Sequence, residues 1–225
     1  MPSTLSQFRA RIAQVLIDTA NANYSTGLLE ESLRSALHDY SEAYPLTMDT
    51  AITLPGDGRE IALNNVSGLL EVTDVWWPYD TTATEETWPP NRVRGFRVYW
   101  DDARPVLFLE DIEGDQPQLD DELRLWYTKL HTIQDLDSGD STTIRPHHES
   151  RIARGAAAYA ALSRASDRRD AEFNLNPKNP INLQEWGEAE RVHFLAWLRT
   201  LRARTHSGPP FHGQKAWKLD KWDSN

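Results

Sequence analysis

Two histidines and a glutamate stand side by side at His147, His148 and Glu149. These residue types can ligate a metal ion or transfer protons. Adjacent histidines on a helix point about 100° apart, whereas a chelating pair on a helix needs the i, i+4 spacing of its two ligands. We therefore interpret the triplet as an exposed first turn of a helix, and we predict neither a metal site nor a cofactor there.

A second group of chemically capable residues is an acidic cluster in the middle of the chain. Its members are Asp111, Glu113, Asp115, Asp120, Asp121 and Glu122. The cluster lacks the D-x-[DN]-x-[DN]-G order and the closing glutamate of a calcium loop. Acids are also so frequent here that no two stand out as the carboxylate pair of a glycoside hydrolase. The pattern is typical of a solvated acidic loop.

Other catalytic signatures are missing from the sequence. It lacks the GxxxxGK[ST], GxGxxG, GxSxG and HExxH motifs. It also has no cysteine, which excludes disulfides, thiolate metal sites and a cysteine nucleophile, and which fits folding in a reducing cytoplasm. We therefore predict no catalytic residue and no enzymatic activity. The alternative is a carbohydrate-active enzyme that uses the Trp-rich middle segment as a sugar platform.

The C-terminal residues 207–225 have an unusual composition for a segment without helical or strand periodicity. Aromatic and lysine side chains are interleaved in it: Phe211, Lys215, Trp217, Lys218, Lys221 and Trp222. An ordinary disordered tail is poor in aromatic residues. Aromatic anchors with interleaved positive charge favour a segment that orders on a partner surface. The alternative is that the tail packs back on its own domain.

Charge is distributed unevenly along the 225 residues, whose net charge is -10. Residues 46–144 carry seven basic and twenty acidic residues, whereas residues 145–225 carry fourteen basic and nine acidic ones. The acidic total argues against a sequence-independent nucleic-acid binder. The uneven distribution indicates either that different segments face different partners or that acidic loops keep a β-rich segment soluble. No apolar run is long enough for a transmembrane helix, and the first residues do not form a signal peptide.

Helical periodicity marks both ends of the chain. The spacing of apolar residues predicts a first helix over residues 4–20 and a second helix from a cap at Ser25 or Thr26 to Pro45. A third helix is predicted from Pro146 to Arg164, and a fourth follows a cap at Asn182.

Small residues on the third helix predict a close contact with another helix. Gly155 and Ala156 lie on its apolar stripe together with Tyr159. Glycine inside a helix costs about 1 kcal/mol relative to alanine. Close packing at Gly155 would explain why a glycine stands there.

Between the helices the apolar period changes to two. Six candidate strands with short turns predict an antiparallel sheet or a small barrel. The turn signal at residues 55–58 predicts that the strands before and after it form a hairpin. Trp76 and Trp77 alternate across a strand, so either one ring is in the core and the other is exposed, or loop 78–92 covers both.

These elements predict an α+β fold in four segments. Residues 1–45 form the N-terminal helix hairpin of a four-helix core, and residues 145–206 form its C-terminal helices. Residues 46–144 form an antiparallel β insertion with acidic loops, and residues 207–225 form an extended C-terminal tail.

The order of these features resembles the head-to-tail adaptor proteins of tailed bacteriophages, which are also called connector or head-completion proteins. Five runs carry the resemblance over about residues 4–205: YSTGLLEESLRSALHDYSEAYPL from Tyr24, TAITLPGDGREIAL from Thr50, LLEVTDVWWPYD from Leu69, ELRLWYTKLHTIQDLD from Glu122 and STTIRPHHESRIARGAAAYAAL from Ser141. The insertion is larger and the linker at residues 174–181 is longer than a minimal adaptor needs.

The resemblance implies a structural virion protein. Such adaptors form a ring of about twelve copies beneath the portal after genome packaging. They extend the DNA channel and offer a platform for the next neck, stopper or tail protein. The implied location is the neck of the virion, assembled in the host cytoplasm, without a membrane.

The resemblance also implies roles for two groups of residues. The C-terminal segment of an adaptor commonly reaches into the portal, so the implied portal-binding residues are Phe211, Lys215, Trp217, Lys218, Lys221 and Trp222. The implied channel-facing or neck-facing acids are Asp111, Glu113, Asp115, Asp120 and Asp121. A negative wall repels phosphates and would let the genome pass without specific binding.

Overall fold

The computed structural model of the chain describes residues 2–20, 22–80, 92–102, 104–110, 112, 116–172 and 180–206. Four helices and six strands lie within these residues, so the predicted α+β fold class is confirmed. The chain divides into two compact units. We call Met1–Pro45 with His131–Asn225 the helical unit, and Leu46–Leu130 the β unit.

Four helices in the described residues build the helical unit: α1 (Leu5–Val15), α2 (Thr26–Ala43), α3 (Glu149–Glu172) and α4 (Pro180–His206). The Oγ of Ser25 accepts the N–H of Leu28 at 3.3 Å, so Ser25 is the predicted cap of α2. The first helix is shorter than predicted, because the backbone of Ile17 turns into the left-handed region.

Two predicted helix boundaries in the second half of the chain are wrong. The third helix begins at Glu149, after a turn over residues 146–148, and it continues past Arg164 to Glu172. The fourth helix begins at Pro180 and not after Asn182. Proline is favoured in the first turn of a helix, where its missing N–H costs no hydrogen bond.

All four helices contribute to one apolar core. Its fully buried members include Phe8 and Ile12 of α1, Leu33 of α2, and Ile152 and Ala156 of α3. Phe194 and Leu198 of α4 close the same cluster. The helices of the two chain ends therefore bury their apolar faces against each other, as the predicted four-helix core requires.

Six strands in the described residues form two three-stranded antiparallel sheets in the β unit: β1 (Leu46–Thr53), β2 (Glu60–Ala62), β3 (Leu69–Trp76), β4 (Phe96–Asp101), β5 (Arg104–Leu109) and β6 (Glu122–Lys129). The strand order is β1-β6-β3 in the first sheet and β2-β5-β4 in the second. Alternate residues of the central strands, such as Leu123 and Leu125 on β6 and Leu107 on β5, point into one apolar cluster.

The predicted hairpin of the first two strands is wrong. All of β1 pairs with β6, in a register that sets Thr50 opposite Leu125. The pairing continues past β1, since the N–H of Leu54 donates to the carbonyl of Asp121 at 2.8 Å. The turn at residues 55–58 instead takes the chain to the second sheet, where β2 pairs with β5. A turn signal reports the change of direction but not the strand that receives the hydrogen bonds.

Residues 131–144 belong to the helical unit, so the predicted end of the β insertion at residue 144 is too late. The N–H of Leu5 donates to the carbonyl of Gln134 at 3.1 Å. The Oγ1 of Thr142 donates to the carbonyl of Ser3 at 2.7 Å. The polar groups of this irregular segment form hydrogen bonds with the N-terminal residues. Local periodicity in the sequence cannot predict such long-range partners. None of the described helices has the length and apolar character needed to cross a bilayer.

Candidate functional site

The end of α2 and the start of α3 meet at a group of aromatic and histidine side chains. Its members, which we call the aromatic–histidine cluster, are Tyr40, Tyr44, His131, His148 and Trp197. Tyr40 lies at the centre: its ring centroid is 4.8 Å from that of His131 and 6.0 Å from that of Trp197. A hydrogen bond of 2.8 Å joins Tyr40 Oη and His148 Nδ1. The cluster therefore links segments from both ends of the chain.

His131, the first residue after the β unit, is held on α2 and the residues around it by hydrogen bonds. Its backbone N–H donates to Ser41 Oγ at 3.0 Å. Its ring Nε2 lies 2.9 Å from the carbonyl oxygen of Tyr44, and its Nδ1 lies 3.1 Å from Thr143 Oγ1. Both ring nitrogens and the backbone amide of this buried residue thus have hydrogen-bond partners, which removes the cost of burying them.

Burial sets the ionisation of the cluster. It lowers the pKa of His148 to about 4, and electrostatic repulsion by neighbours such as Arg145 acts in the same direction. Burial also lowers the pKa of His131 and raises the pKa of Tyr40. At neutral pH these three rings are uncharged, and they contribute hydrogen bonds and ring packing rather than charge.

Glu149 lies at the first position of α3 and is only 3% exposed. Its two carboxylate oxygens accept the N–H of Ser3 at 2.9 Å and the Oγ–H of Ser3 at 2.7 Å. An Arg11 guanidinium nitrogen donates to the same carboxylate at 2.6 Å. Burial alone would raise the pKa of Glu149, but these hydrogen bonds outweigh it and lower the pKa. The carboxylate at the helix start therefore anchors the N-terminal segment to α3.

The interpretation of the His147-His148-Glu149 triplet as an exposed first turn is wrong for two of its members. His147 is exposed, but His148 and Glu149 are buried. The partners that bury them, Tyr40 and Ser3, lie more than 100 positions away in the sequence. Only the folded helical unit brings these partners together.

The residues predicted for close helix packing lie on the buried side of α3. A Cβ atom added at Gly155 would lie 2.7 Å from the Phe194 ring of α4. Ala156 is fully buried. The hydroxyl of Tyr159 donates to the carboxylate of Asp39 on α2. Gly155 and Tyr159 of α3 therefore contact two different helices.

Two of the five predicted channel-facing or neck-facing acids lie in the described residues. Asp120 is exposed and has a φ of 66°. Asp121 is partly buried, and its Oδ2 accepts the N–H of Gln118 at 2.9 Å. Asp121 therefore stabilises a turn, whereas the Asp120 side chain faces solvent. The other three acids, Asp111, Glu113 and Asp115, lie outside the described residues.

The predicted portal-binding residues also lie outside the described residues: Phe211, Lys215, Trp217, Lys218, Lys221 and Trp222. The described part of the chain ends with α4, at His206. Portal binding by the tail therefore stays a prediction.

No protein-family model matches the chain, and no curated protein matches it. One solved structure, "Virion of native gene transfer agent (GTA) particle", contains a chain that is 16% identical and has a TM-score of 0.31. The similarity covers 83% of this chain and 88% of that chain. A TM-score this low does not establish a shared fold.

Proposed function

We propose that the protein is a structural component of a virion and serves as a head-to-tail adaptor. In this proposal a ring of about twelve copies binds the portal after DNA packaging, extends the DNA channel and receives the next neck or tail protein. The observation that carries the proposal is the contact between two of the runs that resemble adaptors. Tyr40 and Tyr44 come from the first run, His148 comes from the last, and all three meet in the aromatic–histidine cluster.

The order of the two units along the chain supports this role. The β unit is inserted between two pairs of helices that share one core. Such an insertion can enlarge without disturbing the helices, because its own apolar cluster is made of its own residues. The adaptor resemblance has the same order: helix hairpin, β insertion, helices and tail.

The tail is the proposed portal anchor. Ordering its residues costs roughly 1–2 kcal/mol of backbone entropy per residue. Each hot-spot aromatic contributes about 2 kcal/mol or more, which offsets the ordering of only a residue or two, so stable attachment requires that other contacts of the tail also contribute. We propose that Trp217 and Trp222 supply these hot-spot contacts and that the three lysines meet an acidic portal surface.

Co-sedimentation of the full chain with DNA-filled heads tests this anchor. The double variant Trp217→Ala/Trp222→Ala should lose at least tenfold in affinity, and truncation after residue 206 should abolish stable attachment. Trp100→Ala is the control, because it removes an exposed tryptophan outside the tail, on β4. If the double variant binds heads at full occupancy, the tail is not the portal anchor.

The acidic residues are the proposed channel-facing or neck-facing surface. Asp120→Lys is the more informative substitution of the two described acids, because Asp120 is exposed, whereas Asp121 also stabilises a turn. The test variant combines Asp120→Lys with Asp111→Lys, Glu113→Lys and Asp115→Lys. We expect its particles either to eject DNA more slowly, because the added cations bind phosphates, or to fail to join a tail.

Two controls accompany this experiment. Neutral variants at the same four positions remove the acids without adding positive charge. Glu42→Lys adds a lysine at an exposed site on α2. Particles that assemble and eject DNA at the normal rate in the four-lysine variant would contradict a channel or neck role for these acids.

We propose a structural role in preference to an enzymatic one. In the Trp-rich β unit, Arg124 donates to Asp49 at 2.6 Å and to the hydroxyl of Tyr79 at 2.8 Å. The Nε1 of Trp76 donates to Asp74 at 3.1 Å. The Arg124 bonds join β6 to β1 and to the residues after β3, whereas the Trp76 bond lies within β3. Trp76 therefore already has a partner in the protein, which favours a packing role for this tryptophan over a sugar platform. Release of reducing sugars from bacterial cell-wall glycans by the purified chain would favour the enzymatic alternative.

A further inference from the structure

Two exposed arginines lie on the aromatic–histidine cluster without an acidic partner. The guanidinium carbon of Arg145 lies 5.0 Å from the centre of the Tyr44 ring, and that of Arg151 lies 5.8 Å from the centre of the Trp197 ring. Both arginines are exposed. Within the described residues, neither guanidinium forms an ion pair with a carboxylate. We call Arg145 and Arg151 the arginine patch.

The rings beneath the arginine patch form one continuous surface. Tyr44 and Trp197 both pack edge-on against His148, with ring centroids 5.7 Å and 5.2 Å from that of His148. His148 is itself buried and hydrogen-bonded to Tyr40. The two guanidiniums therefore lie near each other on a packed base, which lowers the entropy cost of binding a partner through them.

Other arginines that lie over aromatic rings show what this arrangement binds. Three of them also bind a carboxylate: Arg11 over Phe8 binds Glu149 at 2.6 Å, Arg97 over Phe108 binds Glu110 at 3.4 Å, and Arg124 over Trp126 binds Asp49 at 2.6 Å. A fourth, Arg191, lies over the Tyr159 ring and forms a hydrogen bond with that side chain. In the first three, the ring takes a face of the guanidinium and the acid takes its N–H groups. The arginine patch has the rings alone, so its N–H groups are available to an acid from another molecule.

We propose that the arginine patch binds carboxylates on an acidic protein surface. Each guanidinium can donate two parallel hydrogen bonds to one carboxylate. Sequence-independent binding of a DNA backbone instead relies on many phosphate contacts, about 6–10 in typical cases, and two adjacent arginines supply few of them. This inference rests on the proposed function: the acidic surface is that of the portal, and the arginine patch gives the helical unit a contact there in addition to the tail.

Co-sedimentation with DNA-filled heads tests the contact. The double variant Arg145→Gln/Arg151→Gln should lose at least tenfold in affinity. Arg104→Gln/Arg199→Gln is the matched control, because it removes two exposed arginines elsewhere and changes the net charge equally. The control should bind within twofold of the unsubstituted chain. An equal loss in both double variants would overturn the inference, since only net charge would then matter.

Carbodiimide cross-linking identifies the partner's chemistry, because this reagent joins an amine directly to a carboxylate that touches it. Arg145→Lys/Arg151→Lys places amines in the arginine patch and keeps its charge. On heads, we expect links from positions 145 and 151 to aspartate or glutamate of the portal, read by mass spectrometry of the peptides. Links to another copy of this chain, or none while the variant stays bound, would overturn the inference.

Two further measurements exclude other roles for the arginine patch. Arg145→Gln/Arg151→Gln should bind a short DNA duplex no more weakly than the unsubstituted chain does, and a tenfold loss there would identify DNA as the ligand and overturn the inference. Its thermal midpoint should fall only slightly, because a cation over a ring at an exposed site contributes little. A lowered midpoint with normal head binding would mean that the arginines serve only the fold.

The outcomes distinguish this inference from the proposed function. An unsubstituted chain that does not bind heads contradicts the adaptor role and the inference together. A chain that binds heads and is unaffected by Arg145→Gln/Arg151→Gln contradicts the inference alone. If that variant detaches while Trp217→Ala/Trp222→Ala stays bound, the arginine patch is supported and the tail is not the anchor.

Discussion

The helical unit and the β unit use different chemistry to specify their folds. Most of the buried polar residues in the described chain lie in the helical unit: Ser3, Asp18, Ser32, Ser41, His131, Thr142, His148 and Glu149. The β unit buries Asp74 and Thr128. Its core is otherwise a mainly aliphatic cluster around Leu107, Leu123 and Leu125, with Trp77 and Tyr127 as aromatic members.

The difference follows from how each unit is assembled. The helical unit joins segments from both ends of the chain, and helices that can slide on each other need directional contacts to define one register. The tie between Ser3 and Glu149 provides such a contact. In the β unit the backbone ladders already define the register, and a one-residue slip would turn the whole apolar face outward. The β unit therefore depends less on buried polar contacts to define its register.

The largest expected effect comes from Leu125→Ala. Leu125 is fully buried on the central strand β6, and removing its side chain should cost about 4 kcal/mol, since large-to-small core substitutions cost about 2–5 kcal/mol. Hydrogen exchange read by mass spectrometry should show lost protection in residues 46–130 alone. Leu70→Ala, on an exposed position of β3, is the control. Equal loss in the helices would mean that the units fold as one.

Removal of the Glu149 carboxylate should have the next largest effect. Glu149→Ala leaves the Ser3 amide and the Arg11 guanidinium without their acceptor and should cost about 3 kcal/mol. Here exchange should increase in residues 1–45 and 131–206 while the β unit keeps its protection. The exposed Glu185→Ala is the matched control. An unchanged stability of Glu149→Ala would show that apolar packing alone specifies the helical unit.

A smaller loss is expected at the α3–α4 contact. Gly155→Leu must displace the Phe194 ring, and such overpacking costs about 1–3 kcal/mol. Thermal melts should place the variant below the unsubstituted chain, and Phe194→Ala in the same chain should recover part of that drop. Gly27→Ala on α2 is a useful contrast, because its new Cβ meets no atom within 4 Å. A midpoint that does not change in Gly155→Leu would contradict the close contact.

The smallest expected effect is a pH dependence of the stability of the helical unit, which the β unit should not share. The pKa of His148 is lowered to about 4 in the folded chain, so the unfolded chain binds more protons between pH 6.5 and pH 4. Stability of the helical unit should therefore fall by about 1 kcal/mol between pH 7 and pH 5.5, as measured by urea titration. His148→Gln should reduce this slope and leave the part that His131 contributes, whereas the exposed His147→Gln should not change it. A slope that is unchanged in His148→Gln would have another origin.

Predictions from the sequence succeeded where a few neighbouring residues decide the outcome. The apolar spacing of Leu29, Leu33 and Tyr40 depends only on the helical period, and these residues are buried on α2 as that period requires. The alternation of Leu123, Leu125 and Tyr127 likewise depends only on the strand period, and these three residues are buried on β6. The cap of α2 was predicted at Ser25 or Thr26 from local sequence alone, and Ser25 is the cap, with its partner Leu28 only three residues away.

The candidate site was predicted less well for the same reason. No local signal connects His131 to Ser41 or Glu149 to Ser3. A histidine followed by an acid looks the same in sequence whether it is solvated or buried. The runs around Tyr40 and His148 were found through their resemblance to adaptors, but the hydrogen bond between them was not.

By itself, the sequence determined the α+β class, the existence of the four helices and six strands, and the uneven charge. The tertiary structure decided that β1 pairs with β6, that residues 131–144 join the helices, and that His148 and Glu149 are buried. The first group depends on periodicity and turn chemistry, which act over a few residues. The second group depends on partners from distant parts of the chain, and the free energy that selects them appears only when the burial of one segment satisfies the hydrogen bonds of another.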